Sequence, residues 1–154
     1  MKLTKYIINL KSSVQRKKYM QDLLSLFSFI NIQFIEGVNG RLLTDDQKNK
    51  MFNIKESTSR YGRIVNAGEI GCILSHRKCY KQLLDSNNDF ALILEDDITL
   101  IRDFNIVDSK IVSELMSDRK PKVLLLSGDY WYWNNKGITR VYDAKSLLAS
   151  NNCL

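Results

Sequence analysis

Five consecutive apolar residues, Phe90-Ala91-Leu92-Ile93-Leu94, run directly into three consecutive acids, Glu95-Asp96-Asp97. A strand with one wet face alternates apolar and polar residues. A run that is apolar at every position must be covered on both faces, as a central strand of a parallel sheet is when helices lie above and below it. The acids that follow then sit at the strand's carboxyl end, the edge at which open α/β sheets bind their ligands.

The flanking sequence supplies the rest of such a sheet. Lys5-Tyr6-Ile7-Ile8-Asn9-Leu10 reads as an opening strand, and Ser12-Ser13-Val14-Gln15 carries capping-box spacing for a helix whose buried stripe is Met20, Leu23, Leu24 and Phe27. Ile32-Gln33-Phe34-Ile35 reads as a second strand ended by the turn signal Asn39-Gly40. A short helix is predicted from Thr44 to Phe52, a polar loop from Asn53 to Asn66, and a longer helix from Gly68 to Asp85 on the periodicity of Ile70, Ile73, Leu74, Tyr80, Leu83 and Leu84. A helix from Asp108 to Ser117 and a second wholly apolar strand, Val123-Leu124-Leu125-Leu126, follow, with the lone Pro121 just before the strand. The order β-α-β-α-α-β-α-β predicts an α/β fold: one domain over residues 1–154, with a mostly parallel sheet and helices on both faces.

Composition excludes several classes. No apolar stretch approaches the ~20 residues that a spanning helix needs, and Met1-Lys2-Leu3-Thr4-Lys5 leads into a strand instead of a signal-peptide core, so a cytoplasmic location is expected. Cys72, Cys79 and Cys153 are odd in number and form no CxxC pair, which argues for reduced thiols over a disulfide framework or zinc ribbon. The formal charge of +6 favours anionic partners. Its basic residues are scattered in small groups, such as Arg16-Lys17-Lys18 and Arg119-Lys120 with Lys122, and no nucleic-acid-binding motif is present.

Three constellations can carry chemistry. If strand conformation continues past Leu94, Glu95 and Asp97 point to one side and Asp96 to the other. Two carboxylates on one side suit a hard cation, Mg²⁺ or Mn²⁺, completed by substrate phosphates; solvated acids leaving a sheet are the plainer reading. Gly68 and Gly71 open a helix in which glycine is locally unfavourable, which fits either close approach of a phosphate to free amides or tight packing on the sheet. On that helix Cys72, His76 and Cys79 share a face, yet ligands drawn from a single helix without a fourth partner disfavour zinc. The third constellation, Tyr130-Trp131-Tyr132-Trp133, groups aromatic rings that could cover a sugar or an acceptor, or close an interface.

Taken in order, Tyr6-Ile7-Ile8-Asn9-Leu10 with Arg16, then Gly68-Glu69-Ile70-Gly71-Cys72 with Ser75-His76, then Ile93-Leu94-Glu95-Asp96-Asp97 resemble the motifs of glycosyltransferase family 25, the bacterial lipooligosaccharide galactosyltransferases and their collagen-modifying relatives. The resemblance implies a GT-A-like, Rossmann-like fold and a UDP-sugar donor. It also implies a Mn²⁺ or Mg²⁺ cofactor and transfer of a hexose, galactose by resemblance, with inversion onto a lipooligosaccharide or lipopolysaccharide glycan.

By the same resemblance, Asn9, Arg16, Ser75, His76, Glu95 and Asp96 face the donor, Asp97 and Glu95 hold the metal, and Asp97 and Asp96 serve catalysis. Asp129, at the end of the Val123 to Leu126 strand, is the candidate general base. Family members extend further into an acceptor-binding part, so the resemblance also implies a C-terminally incomplete fold. The alternative it leaves open is a non-catalytic nucleotide- or glycan-binding remnant. Peripheral contact with the inner face of the cytoplasmic membrane and no nucleic-acid partner beyond the nucleotide complete the expectation.

Overall fold

The computed structural model describes residues 2–27 and 32–99 in full and, beyond them, the backbone of four short strands. The predicted helix from Asp108 to Ser117, the strand residues Leu124 to Leu126 and the candidate base Asp129 lie outside the described residues. The chain divides into two compact units, Met1–Thr99 and Leu100–Leu154.

In the first unit β1 (Leu3–Asn9), α1 (Val14–Ser25) and β2 (Ile32–Glu36) lead through a 3₁₀ turn at Gly40–Leu42 to α2 (Asp45–Met51), α3 (Ile54–Tyr61), α4 (Ala67–Leu84) and β3 (Phe90–Glu95). The three strands form one parallel sheet in the order β2-β1-β3. Among the described residues β1 is therefore the central strand, and the wholly apolar β3 lies at the end of the order, not in its middle. Its apolar run is explained by cover on both faces, which the clusters below show.

Period-two alternation assigns each face to one helix. Tyr6 packs with Ile35 and Cys79, joined by Ile8, Ala91, Ile93 and Leu83, so this face belongs to α4. Ile7 packs with Met20 and Leu24, joined by Phe34 and Leu94, so the opposite face belongs to α1. Tyr6, Ile7, Met20, Ile70 and Cys79 are the largest fully buried side chains, and each apolar one contributes about 1.5–3 kcal/mol of burial. A third cluster, Val65, Ile70 and Leu74, seals the outer side of α4 with Val38, Leu43 and Phe52.

Local chemistry departs from the sequence reading at three places. Ser13 is the N-cap of α1 but its side chain makes no capping bond; its carbonyl instead accepts from the Asn9 side chain and from the Lys17 amide. The stretch from Asn53 to Asn66, expected to be a polar loop, contains α3. Asn53 caps the Glu56 amide, Glu56 pairs with Arg60 one turn on, and Gly62 closes the helix at φ 66°. Caps and a left-handed terminator make a helix there without an apolar stripe. Lastly, the full capping boxes fall at Thr44–Gln47 of α2 and Asn66–Glu69 of α4. Glu69 also pairs with Arg63, whose guanidinium holds the carboxyl down at about 2.

In the second unit β4 (Lys122–Val123) pairs antiparallel with β7 (Leu147–Leu148), and β5 (Tyr130–Asn134) pairs antiparallel with β6 (Gly137–Val141). Of the strand expected at Val123 to Leu126, the described residue Val123 lies in this short antiparallel pairing, opposite Leu147. The aromatic segment is one arm of a hairpin. No helix among the described residues is long and apolar enough to cross a membrane.

The two motif glycines of α4 have different meanings. A Cβ on Gly71 would lie 2.5 Å from the Val38 carbonyl and 2.7 Å from the Gly40 amide nitrogen, and one on Gly40 would lie 1.8 Å from the Ala67 carbonyl. Gly71 and Gly40 let α4 and the 3₁₀ turn touch backbone to backbone. Gly68 meets only the Asn66 side chain, at 3.2 Å. Gly71→Ala is expected to destabilise the fold by about 2 kcal/mol or more through overpacking, and Gly68→Ala to stay within about 1 kcal/mol of the parent. Urea denaturation with matched m-values measures both; equal effects would contradict this division.

Candidate functional site

The carboxyl ends of the sheet are level. Asn9 pairs with Glu36 and Ile8 with Glu95, so the chain leaves β1, β2 and β3 along one edge, and the N-terminal half of α4 borders it. A cleft of about 350 Å³ opens there. Ile8 and Leu10 form its floor, Val38 to Arg41 one wall, and Gly68, Cys72, Ser75 and His76 another; Arg16 and the three acids close it. That volume is within the range of small-molecule sites.

The acids separate in a way that strand geometry explains. Glu95, the last residue of β3, keeps the parity of Ala91 and Ile93 and points to α4, where its Oε1 lies 3.3 Å from His76 Nε2 and 3.6 Å from Cys72 Sγ. Asp96 has the opposite parity and turns toward α1. It is buried, with Asn9 Nδ2 donating to Oδ2 at 2.6 Å and Arg16 3.0 Å from Oδ1. Strand conformation ends at Glu95, and the turn carries Asp97 back to Arg16 at 3.3 Å. The expected pairing of Glu95 and Asp97 on one side is corrected accordingly: Asp97 joins Asp96 on Arg16, while Glu95 stands with α4. Tyr19 completes the clamp by donating its hydroxyl to the Ile98 carbonyl at 3.2 Å.

Ser75 is buried and its hydroxyl is fully engaged. It accepts from the Val38 amide at 2.8 Å and donates to the Gly71 carbonyl at 2.6 Å, pinning the wall after β2 to α4. Asn9 is likewise buried and bridges Ser13 and Asp96. The structure thus brings Arg16, Ser75, His76, Glu95, Asp96 and Asp97 together in the lining of one cleft, with Asn9 behind it on Asp96. Asn9 and Ser75 form its frame, whereas Arg16, His76, Glu95 and Asp97 have side chains open to water.

Arg41, which falls in none of the sequence motifs, and Cys72 also line the cleft. Arg41 follows the Asn39-Gly40 turn and makes no ion pair among the described residues. An arginine just past a turn at a strand's carboxyl end was a readable signal. Cys72 was read as part of a one-helix set with Cys79, but Cys79 is in the sheet core beside Tyr6 and Ile35, where burial pushes its thiol up to about 11. Cys72 belongs with Glu95 instead, and its thiol is raised by burial and by that carboxylate.

Comparison with known proteins adds an independent finding. The family described as "Glycosyltransferase family 25 (LPS biosynthesis protein)" matches residues 2–152. The human protein named procollagen galactosyltransferase 2 is 28% identical over 174 residues, which covers 95% of this chain and 27% of that protein. A glycosyltransferase 25 family member of Aedes aegypti is 31% identical over 96 residues, 60% of this chain and 16% of its own length. A putative glycosyltransferase of Haemophilus influenzae is 30% identical over 95 residues, 62% of this chain and 32% of its own. The chain therefore spans about a quarter of the length of the procollagen galactosyltransferases it matches. No solved structure gives a significant match.

The Asp96 clamp makes a quantitative expectation. Asn9→Ala leaves a buried Asp96 carboxylate oxygen without its donor, at about 2 kcal/mol. Arg16→Ala removes a half-exposed partner screened by water and should cost about 1 kcal/mol. Chemical denaturation of the two single variants checks the order, and an Asn9→Ala variant as stable as the parent would contradict the clamp.

Proposed function

We propose, from the premise that the chain belongs to glycosyltransferase family 25, that the cleft of its first unit binds the diphosphate of a UDP-sugar and that the hexose is passed to a glycan hydroxyl. The observation that carries this is the meeting of Arg16, Arg41, Glu95 and Asp97 at the carboxyl edge of a parallel sheet, beside the amino end of an 18-residue helix. Such an edge is where α/β sheets take their ligands. Guanidinium groups match phosphate oxygens in charge and shape. Gly68, which has no Cβ, leaves the first turn of α4 open to close approach, and the free amides of that turn attract anions.

The donor set also fits a hard divalent cation. Asp97 and Glu95 are 61% and 51% exposed, both line the cleft, and Asp97 has a single weak ion pair to give up. Asp96, by contrast, is saturated by Asn9 and Arg16, so we assign it to positioning and not to the ion. Mn²⁺ or Mg²⁺ held by Asp97 and Glu95 would supply charge neutralisation of the departing diphosphate. The protein's own contribution is to hold Arg16 between Asp96 and Asp97, and to hold Ser75 against the wall after β2 so that the cleft keeps its width. In transfer, the acceptor oxygen bonds to the anomeric carbon and the bond to the diphosphate breaks. The acceptor proton must pass to a base, for which Asp129 is the sequence candidate.

Galactose as the sugar is supported by the names of the procollagen galactosyltransferase relatives, and a lipooligosaccharide or lipopolysaccharide acceptor by the description of the family. The experiment is calorimetric titration of the chain with UDP, with and without Mn²⁺. Asp97→Asn is expected to weaken the Mn²⁺-dependent affinity by at least about tenfold, ~1.4 kcal/mol, while leaving thermal unfolding of the ligand-free protein unchanged. Unchanged affinity in Asp97→Asn would overturn the metal assignment, and absence of UDP binding would overturn the donor site. Tight UDP binding without sugar transfer would favour the non-catalytic reading.

A further inference from the structure

Cys72 Sγ, His76 Nε2 and a Glu95 carboxylate oxygen all lie within 4.8 Å of one another, the one such group of three or more metal-ligating side chains among the described residues. We propose that these three side chains form a transition-metal site, with Zn²⁺ the ion it fits, which shares Glu95 with the hard-cation pair and so competes with Asp97 for that carboxylate. This proposal does not rest on UDP binding.

The geometry argues for it in detail. Tetrahedral zinc holds nitrogen and oxygen ligands at ~2.0–2.2 Å and thiolate sulfur at ~2.3 Å, which sets ligand-to-ligand separations of about 3.3 Å for N to O and about 3.6 Å for S to O. The structure has His76 Nε2 to Glu95 Oε1 at 3.3 Å and Cys72 Sγ to Glu95 Oε1 at 3.6 Å. Two of the three ligand pairs already stand at tetrahedral separations, and the third, Cys72 Sγ and His76 Nε2, lies within 4.8 Å. Position is secured from two elements: Cys72 and His76 are four residues apart on one face of α4, and Glu95 is held by the parity of β3 against the same helix.

The chemistry of the set discriminates between ions. Thiolate and imidazole with a single carboxylate suit Zn²⁺ or Co²⁺ and disfavour Mg²⁺, which prefers an all-oxygen shell. A carboxylate beside a thiol is unfavourable to the thiolate, and a divalent cation reverses that relation by drawing the thiol proton off to solvent and pairing with both groups. Three protein ligands leave a fourth position. All three side chains line the cleft, so that position opens to water or to a bound oxygen ligand. The residues are 23 apart or less in sequence, yet the set is invisible to spacing, because Glu95 arrives from a strand.

The test is optical titration of the full chain with Co²⁺ at pH 8 under reducing conditions, followed by Zn²⁺ displacement. One equivalent of Co²⁺ should give a sulfur-to-cobalt charge-transfer band with intense four-coordinate visible bands, and one equivalent of Zn²⁺ should remove them. Cys72→Ser should abolish the charge-transfer band. His76→Ala should weaken Zn²⁺ affinity by at least about 100-fold, beyond the ~10–100-fold cost of losing a ligand's supporting partner. Cys153→Ala and Asp97→Asn should keep the band, the latter separating this site from the donor reading. Circular dichroism establishes that each variant is folded. A folded parent without the charge-transfer band, or a band that survives Cys72→Ser, would overturn the proposal.

Discussion

A carboxylate taken out of water persists only where other groups replace its hydration. Asp96 meets that condition through Asn9 on one oxygen and Arg16 on the other. Asn9 ends β1, Arg16 lies in the first turns of α1, and Asp96 follows β3, so one buried acid ties together the strand, helix and strand that define the edge of the sheet. The exposed acids on either side inherit their directions from it. Glu95 must face α4 because Asp96 faces α1, and Asp97 comes to rest on the guanidinium that Asp96 already holds.

The second wall of the cleft depends on close backbone contact instead of charge. Gly40 and Gly71 allow the 3₁₀ turn and α4 to meet without side chains between them, and Ser75 fastens the same junction with two hydrogen bonds to backbone. Interiors packed at crystal-like density transmit small displacements. A methyl group at Gly71 would therefore press on Val38 and Gly40 and displace the wall that carries Arg41. The physical contacts account for why each of these residues is needed.

Much of this architecture could be read in the sequence, for reasons that differ by element. The strands at 5–10, 32–35 and 90–94 were legible because β-branched and apolar runs bounded by turn residues have few alternatives. The helix at 67–84 was legible from its apolar spacing. The helix at Ile54–Tyr61 was not, since its stability comes from the Asn53 cap, the Glu56–Arg60 pair and Gly62 and not from an apolar stripe. The motif residues of the cleft could be gathered by resemblance, but their division into frame and open groups could not. Burial of Asp96, and Asp97's turn toward Arg16, arise where β3 stops, and the end of a strand is the feature that periodicity defines least well. The partner of Val123 could not be read, because a short apolar run does not state what it pairs with.

Because the proposed donor site lies at one sheet edge, the most direct measurement is a map of amide chemical-shift changes when the isotopically labelled chain is titrated with UDP and Mn²⁺, with Mg²⁺ as the diamagnetic companion. The perturbed amides in the Mg²⁺ titration are expected to concentrate at residues 9–16, 38–41, 67–76 and 95–98. Line broadening with Mn²⁺ should centre on 95–97. Perturbations centred on α2 and α3, around residues 45–61, with the strand ends unaffected, would contradict it.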